Sequence, residues 1–197
     1  MAVVAVVRRR AWTMIEKRYN IIYADPPWAI QTTSQVPSGR PNSLPYRAMR
    51  QVEIFGLDVR GIAQEDALLF LWATPPLLPE ALYTMRAWGF EYKTVAFTWV
   101  KRNKKSEGWF WGMGWWTRSN PEYCLLGMRG NPKRLNADVH SVIDSRIQEH
   151  SKKPDEVRER IIRLCGDLPR IELFARERTQ GWDAWGNEIE SDVRLCA

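Results

Sequence analysis

The chain has 197 residues, 45% of them hydrophobic, and a net charge of +6. That length supports one domain with a sizeable core and is too short for two ordinary ones. No apolar run approaches the roughly 20 residues needed to span a bilayer, and the positive balance favours a polyanionic partner. Cys124, Cys165 and Cys196 are widely spaced and the only histidines are His140 and His150. Neither a zinc site nor a disulfide framework is expected from such a set. The apolar start, Met1 to Val7, precedes Arg8-Arg9-Arg10. A secretory signal has the reverse order, so residues 1–18 read as an N-terminal extension and the expected compartment is the cytoplasm.

Tyr19 to Ala24 is a short apolar run that reads as a buried strand, followed at once by Asp25-Pro26-Pro27-Trp28. A polar stretch from Gln31 to Arg50 reads as a functional loop, and a short helix is expected around Gln51–Ile62. Ala67–Ala73 is apolar throughout, as a strand buried on both faces would be. Pro76–Trp88 carries Leu78, Leu82 and Met85 at helical spacing with Gly89 just past its end. Further strands are expected at Glu91–Val100, Pro121–Met128, Val139–Ile143 and Ile171–Phe174. Pro154 is expected to open a helix at its first position, with Val157, Ile161 and Leu164 on one face. Gly181–Gly186 closes the pattern. Strands alternating with helices imply a mostly parallel sheet with flanking helices, in one domain over residues 19–190 with a tail at 191–197.

Two segments carry chemistry. Asp25-Pro26-Pro27-Trp28 lies where a strand ends, the edge at which open α/β sheets bind ligands. The prolines fix the backbone and present carbonyls without competing N–H groups. Ionised Asp25 is an acceptor, and Trp28 offers a flat face to a planar base. Together they suit an exocyclic amine such as that of adenine. The second segment is the basic run Lys101-Arg102-Asn103-Lys104-Lys105. Trp109, Trp111, Trp115 and Trp116 follow it, interleaved with Gly108, Gly112 and Gly114. Cations beside aromatics in a mobile loop suit a strand of nucleic acid.

The ordered series of motifs resembles the MT-A70 family, the adenine methyltransferases related to the catalytic subunit of the eukaryotic mRNA adenosine methyltransferase, especially short bacterial and phage members. It runs from Asp25-Pro-Pro-Trp28 through Leu44-Pro-Tyr46, Leu69-Phe-Leu-Trp72 and Glu122-Tyr-Cys-Leu-Leu-Gly127. It continues with Ser151-Lys-Lys-Pro-Asp-Glu156 and Ile171-Glu-Leu-Phe-Ala-Arg176, and ends at Gly186-Asn-Glu188. The resemblance implies a Rossmann-like fold with permuted motif order and S-adenosylmethionine as methyl donor. It implies Asp25, Pro26, Pro27 and Trp28 as catalytic motif. Asp25, Lys153, Glu172, Phe174, Arg176, Asn187 and Glu188 are implied on the cofactor side. Trp28, Tyr46 and Glu122 are implied near the substrate, and Lys101, Arg102, Lys104 and Lys105 supply the nucleic-acid contact. Relatives often carry Gln where Glu188 stands, and Val7-Arg8-Arg9 replaces an acidic segment of longer members.

The function expected is methylation of adenine's exocyclic amine in DNA. The alternatives are the same reaction on RNA and a silent nucleic-acid-binding subunit, which the intact Asp25-Pro-Pro-Trp28 disfavours. No metal or membrane is expected, and a homodimer or a heteromeric partner both remain open.

Overall fold

Apolar alternation builds the sheet. A computed structural model describes residues 17–29, 48–114, 116–149 and 152–196. In β1 (Tyr19–Ala24), Ile21 and Tyr23 face one side while Ile22 and Ala24 face the other. β2 (Ala63–Ala73) repeats the alternation, with Leu68, Phe70 and Trp72 opposed to Leu69, Leu71 and Ala73. Side chains of successive strand residues point to opposite faces, so both faces are apolar and both must be covered. Three helices, α1 (Gln51–Phe55), α2 (Val59–Ile62) and α3 (Leu78–Ala87), cover one face through Ile54, Val59, Ile62, Ala81 and Met85. The fourth, α4 (Glu156–Cys165), covers the other through Val157, Ile161 and Cys165.

The remaining strands are β3 (Glu91–Arg102), β4 (Glu122–Arg129), β5 (Val142–Arg146), β6 (Arg170–Leu173) and β7 (Asp183–Trp185). The sheet order is β5-β3-β4-β2-β1-β6-β7. Only β4 runs antiparallel to its neighbours. Six strands therefore end, and β4 begins, at one edge of the sheet. This is the expected Rossmann-like, mostly parallel arrangement, with the Asp25 strand ahead of the Glu172 strand in the chain.

Local chemistry accounts for the ends. α3 closes with two bonds, Phe90 N–H to the Met85 carbonyl (2.8 Å) and Gly89 N–H to the Arg86 carbonyl (3.0 Å). That closure requires a left-handed residue between them, and Gly89 supplies it at φ 83. The expected strand at Val139–Ile143 lies further on, at Val142–Arg146. Its only fully buried residue is Ile143, so parallel pairing with β3, not periodicity, defines it. Pro154 is not the first residue of α4. Asp155 is the N-cap and Glu156 the first residue, while the Pro154 carbonyl accepts from Val157 N–H at 3.2 Å. In the 191–197 segment, Val193 and Leu195 pack against the α1–α3 side, and the Cys196 carbonyl accepts from Asp58 N–H at 3.0 Å.

Candidate active site

The sheet edge converges on Asp25, the first residue after β1. The motif is held by a tight turn and a bridge: Trp28 N–H donates to the Pro26 carbonyl at 2.8 Å, and Met49 N–H to the Pro27 carbonyl at 2.9 Å. A carbonyl has two lone pairs, so that of Pro26 keeps capacity for a second donor. Trp28 itself is 7% exposed, and its indole N–H donates to the Trp72 carbonyl at 3.1 Å. It is a buried wall of the site rather than a free stacking platform. Tyr46 lies outside the described residues.

Four charges of alternating sign run along this edge. Asp25 Oδ2 lies 2.7 Å from Lys153 Nζ, Lys153 Nζ lies 3.3 Å from Glu122 Oε2, and Glu122 Oε1 lies 2.5 Å from Lys101 Nζ. Asp25 is the most open, with 32% of its side chain exposed, against 9% for Lys153, 12% for Glu122 and 15% for Lys101. The chain topology explains the meeting. β4 begins where β1 and β3 end, and Lys153 stands in the loop entering α4. Trp72 supports the group from below, with the Lys153 ammonium 5.5 Å from its ring centroid and its own indole N–H donated to the Tyr23 hydroxyl at 2.8 Å.

The protonation states follow from these contacts. Burial raises the Asp25 carboxyl above its usual range; Lys153 opposes this and Glu122 adds to it. Burial also raises Glu122, but Lys153 and Lys101 outweigh it and leave that carboxyl below its usual range. Burial disfavours the Lys153 charge, yet Asp25 and Glu122 more than offset it and hold the ammonium protonated.

On the expected cofactor side, Glu172 is held by an ion pair. Both its oxygens are taken by Arg158, from Nε and Nη2, each at 2.8 Å. Sequence reading missed Arg158. The available signal was its place on the buried face of α4, between Val157 and Ile161. Phe174, just past β6, has φ 62, a left-handed conformation that is strained for a bulky residue. Its ring meets Trp185 edge-on at 5.2 Å. Arg176, Asn187 and Glu188 are exposed on the loops beyond β6 and β7. Lys153, expected on the cofactor side, is engaged by Asp25 and Glu122.

The basic run is divided. Lys101 turns inward to Glu122. Arg102 makes two 2.6 Å bonds to Asp144 and stacks 3.7 Å over Trp109. Lys104 meets Glu149 at 2.9 Å, while Lys105 is exposed. Beyond them Trp111, Met113 and Trp116 are 56%, 87% and 99% exposed. Gly112 bridges Ser119 across this segment. A Cβ at Gly114 would lie 1.8 Å from the Thr117 carbonyl oxygen, so the tip tolerates no side chain there. The result is an exposed apolar and aromatic surface next to Asp25's edge of the sheet. Among the described residues no three His, Cys, Asp or Glu side chains cluster as a metal site, and no helix is long and apolar enough to cross a membrane.

A family model described as MT-A70 matches residues 19–188. The chain is 33% identical over 190 residues to the type II methyltransferase M.MunI of a Mycoplasma species, covering 88% of this chain and 78% of that protein. It is 33% identical over 182 residues to the N(6)-adenosine-methyltransferase MT-A70-like protein of Drosophila melanogaster, and 30% identical over 177 residues to the human N(6)-adenosine-methyltransferase catalytic subunit METTL3. The chain spans 28% of the length of each of these two.

Proposed function

The chain belongs to the MT-A70 family of methyltransferases, and on that premise we propose that it transfers a methyl group from S-adenosylmethionine to the exocyclic amine of adenine in DNA. The observation that carries this reading is the Asp25 turn. A partly open carboxylate and a carbonyl with a spare lone pair stand side by side at the convergent edge of the sheet.

Adenine's amine is a poor nucleophile because its lone pair is delocalised into the ring. Asp25 and the Pro26 carbonyl accept its two hydrogens and favour a more tetrahedral nitrogen. They are fixed in advance by the Trp28 turn and the Met49 bridge, so little reorganisation accompanies the developing positive charge. Holding the amine in line with its methyl donor supplies much of the remaining effect. The cofactor, when bound, supplies an electrophilic methyl group on a sulfonium. The residues past β6 and β7 fit such a group. Asp25 can accept from its ammonium, Arg176 offers a cation to its carboxylate, and Asn187 and Glu188 can bond ribose hydroxyls. The strained Phe174 presents its ring at the same edge. Glu172, oriented by Arg158, keeps lone pairs for a ribose hydroxyl.

The target amine is unreachable inside a stacked duplex, so the base is flipped out or presented single-stranded. The aromatic surface of Trp109, Trp111 and Trp116 suits unstacked bases. DNA is favoured because the match covers most of the bacterial type II enzyme but only about a quarter of the adenosine methyltransferase subunits. Incubating the purified protein with methyl-labelled cofactor and matched DNA and RNA pools, then mapping the labelled base, tests the proposal. Label on RNA alone would reverse the choice of substrate, and label on neither would remove the activity.

A further inference from the structure

Resting on the reading just given, we propose that Lys101 is a positioning residue for Asp25 rather than a phosphate contact, and that it ties the 103–119 loop to the catalytic carboxylate. Three observations carry this.

The first is the direction of the side chain. Lys101 Nζ sits 2.5 Å from Glu122 Oε1, with the Trp99 and Phe110 ring centroids 5.2 and 5.9 Å away. An ammonium held by a buried carboxylate between two rings is spent inside the protein. Exposed Lys105 differs in this respect.

The second is the order of the charges. Among the described residues, Lys101 is one of two cations on Glu122; the other is Lys153, which also holds Asp25. Remove Lys101 and, among the described residues, Lys153 is the one ion-pair partner left to Glu122 while it still holds Asp25. Its ammonium is then drawn from Asp25 toward Glu122. Lys101 thus fixes how Lys153 is shared.

The third is the backbone. Register places Trp99 opposite Glu122 in the β3–β4 ladder, so Lys101 falls opposite Asn120. The Asn120 side chain bonds the Lys101 backbone there. Its Oδ1 accepts from Lys101 N–H and its Nδ2 donates to the Lys101 carbonyl, both at 2.9 Å. The same Nδ2 donates to the Phe110 carbonyl at 2.5 Å, and Phe110 N–H donates to the Lys101 carbonyl at 2.9 Å. The loop that displays Trp109, Trp111 and Trp116 is therefore clasped at Lys101, whose side chain ends on the charges that orient Asp25. Coupling between two places is reciprocal, so a change at the carboxylates must be felt in the loop and a change in the loop at Asp25.

Amide hydrogen exchange tests the coupling without any methyl transfer. Exchange across residues 103–119 is compared in the wild type, Lys101→Met, Glu122→Gln and the double variant. Met keeps the apolar stem against Trp99. Each single change should accelerate loop exchange by about tenfold, and the double should add little more, as for residues acting as one unit. Loop exchange in Glu122→Gln equal to the wild type would overturn the proposal. Kinetics then separate positioning from binding. Lys101→Met should lower kcat by about tenfold or more while nucleic-acid affinity and its salt dependence stay as in the wild type, and Lys101→Arg should recover part of the loss. A weaker affinity with a flatter salt dependence and unchanged kcat would make Lys101 a phosphate contact instead. A protein that transfers no methyl group would remove the functional reading, and the exchange result would still decide whether loop and carboxylates are coupled.

Discussion

Arg158 and Glu172 meet fork to fork, with two parallel 2.8 Å bonds between side chains that are 10% and 12% exposed. The pair joins α4 to β6 directly beneath the expected cofactor edge. Breaking one side of a buried pair leaves an uncompensated charge. Arg158→Met should therefore cost about 3–5 kcal/mol of unfolding free energy, and Arg158→Met with Glu172→Leu substantially less. Urea denaturation measures both. Equal losses in the two variants would mean that packing, not the ion pair, holds this joint.

Asp25→Ala should reduce methyl transfer by far more than tenfold, a barrier change of at least about 1.4 kcal/mol. Turnover and thermal melting should be measured on the same preparation. A variant that melts like the wild type and keeps its rate would strip Asp25 of its role as the amine's acceptor.

Acid should inhibit transfer at a higher pH than an ordinary carboxylate would dictate. Burial raises Asp25 above its usual 3.8, and only the ionised form accepts both the amine and Lys153. Activity is therefore complete above the raised pKa and lost as pH falls through it. Lys153→Met removes the chief opposing cation while Glu122 remains, so the acid limb of the kcat profile should move to still higher pH. A limb that stays put would show that Asp25 and Lys153 do not titrate together.

Trp28 needs two substitutions to separate its roles. Trp28→Ala opens a cavity in the core and should cost about 3–5 kcal/mol of stability. Trp28→Phe keeps an apolar wall and forfeits the bond to the Trp72 carbonyl, a loss of about 1 kcal/mol. Nucleic-acid KM in Trp28→Phe reports on base contact with the fold preserved. An unchanged KM beside a lowered melting point would leave Trp28 purely structural.

Trp111→Ala and Trp116→Ala should leave stability within about 0.5 kcal/mol, because both rings are exposed. Each should weaken nucleic-acid binding by about 1–3 kcal/mol if it stacks on a base. Lys105→Ala should reduce the slope of log affinity against log salt by about one. Titrations at several salt concentrations give both quantities. An unaltered slope with unaltered affinity would mark the surface as a protein contact.

The sheet was legible wherever apolar runs are dense. Ile21 to Ala24 and Ala67 to Ala73 announce buried strands because every second residue must face a covered side. β5 was misplaced because a strand with one buried residue carries no period of its own. β3 was legible at Glu91–Val100 even though its register slips between Tyr92 and Thr94 and again between Val95 and Phe97. At the site, Asp25 could be read from its neighbours in the chain. The fate of Lys101 could not, because its partner Glu122 is 21 residues away across a turn. The same is true of Glu172, whose partner Arg158 lies on another element, α4. Spacing reveals a charge but not the direction in which it is spent.

The alternating row from Asp25 to Lys101 has a consequence for what can approach. Two ammonium groups against two carboxylates sum to no charge at the mouth of the site. Two bare carboxylates there would repel a phosphate backbone at short range, where the surrounding low dielectric magnifies the effect. The overall charge of +6 can then draw a polyanion in over long distances, and the mouth admits it without a barrier of its own making.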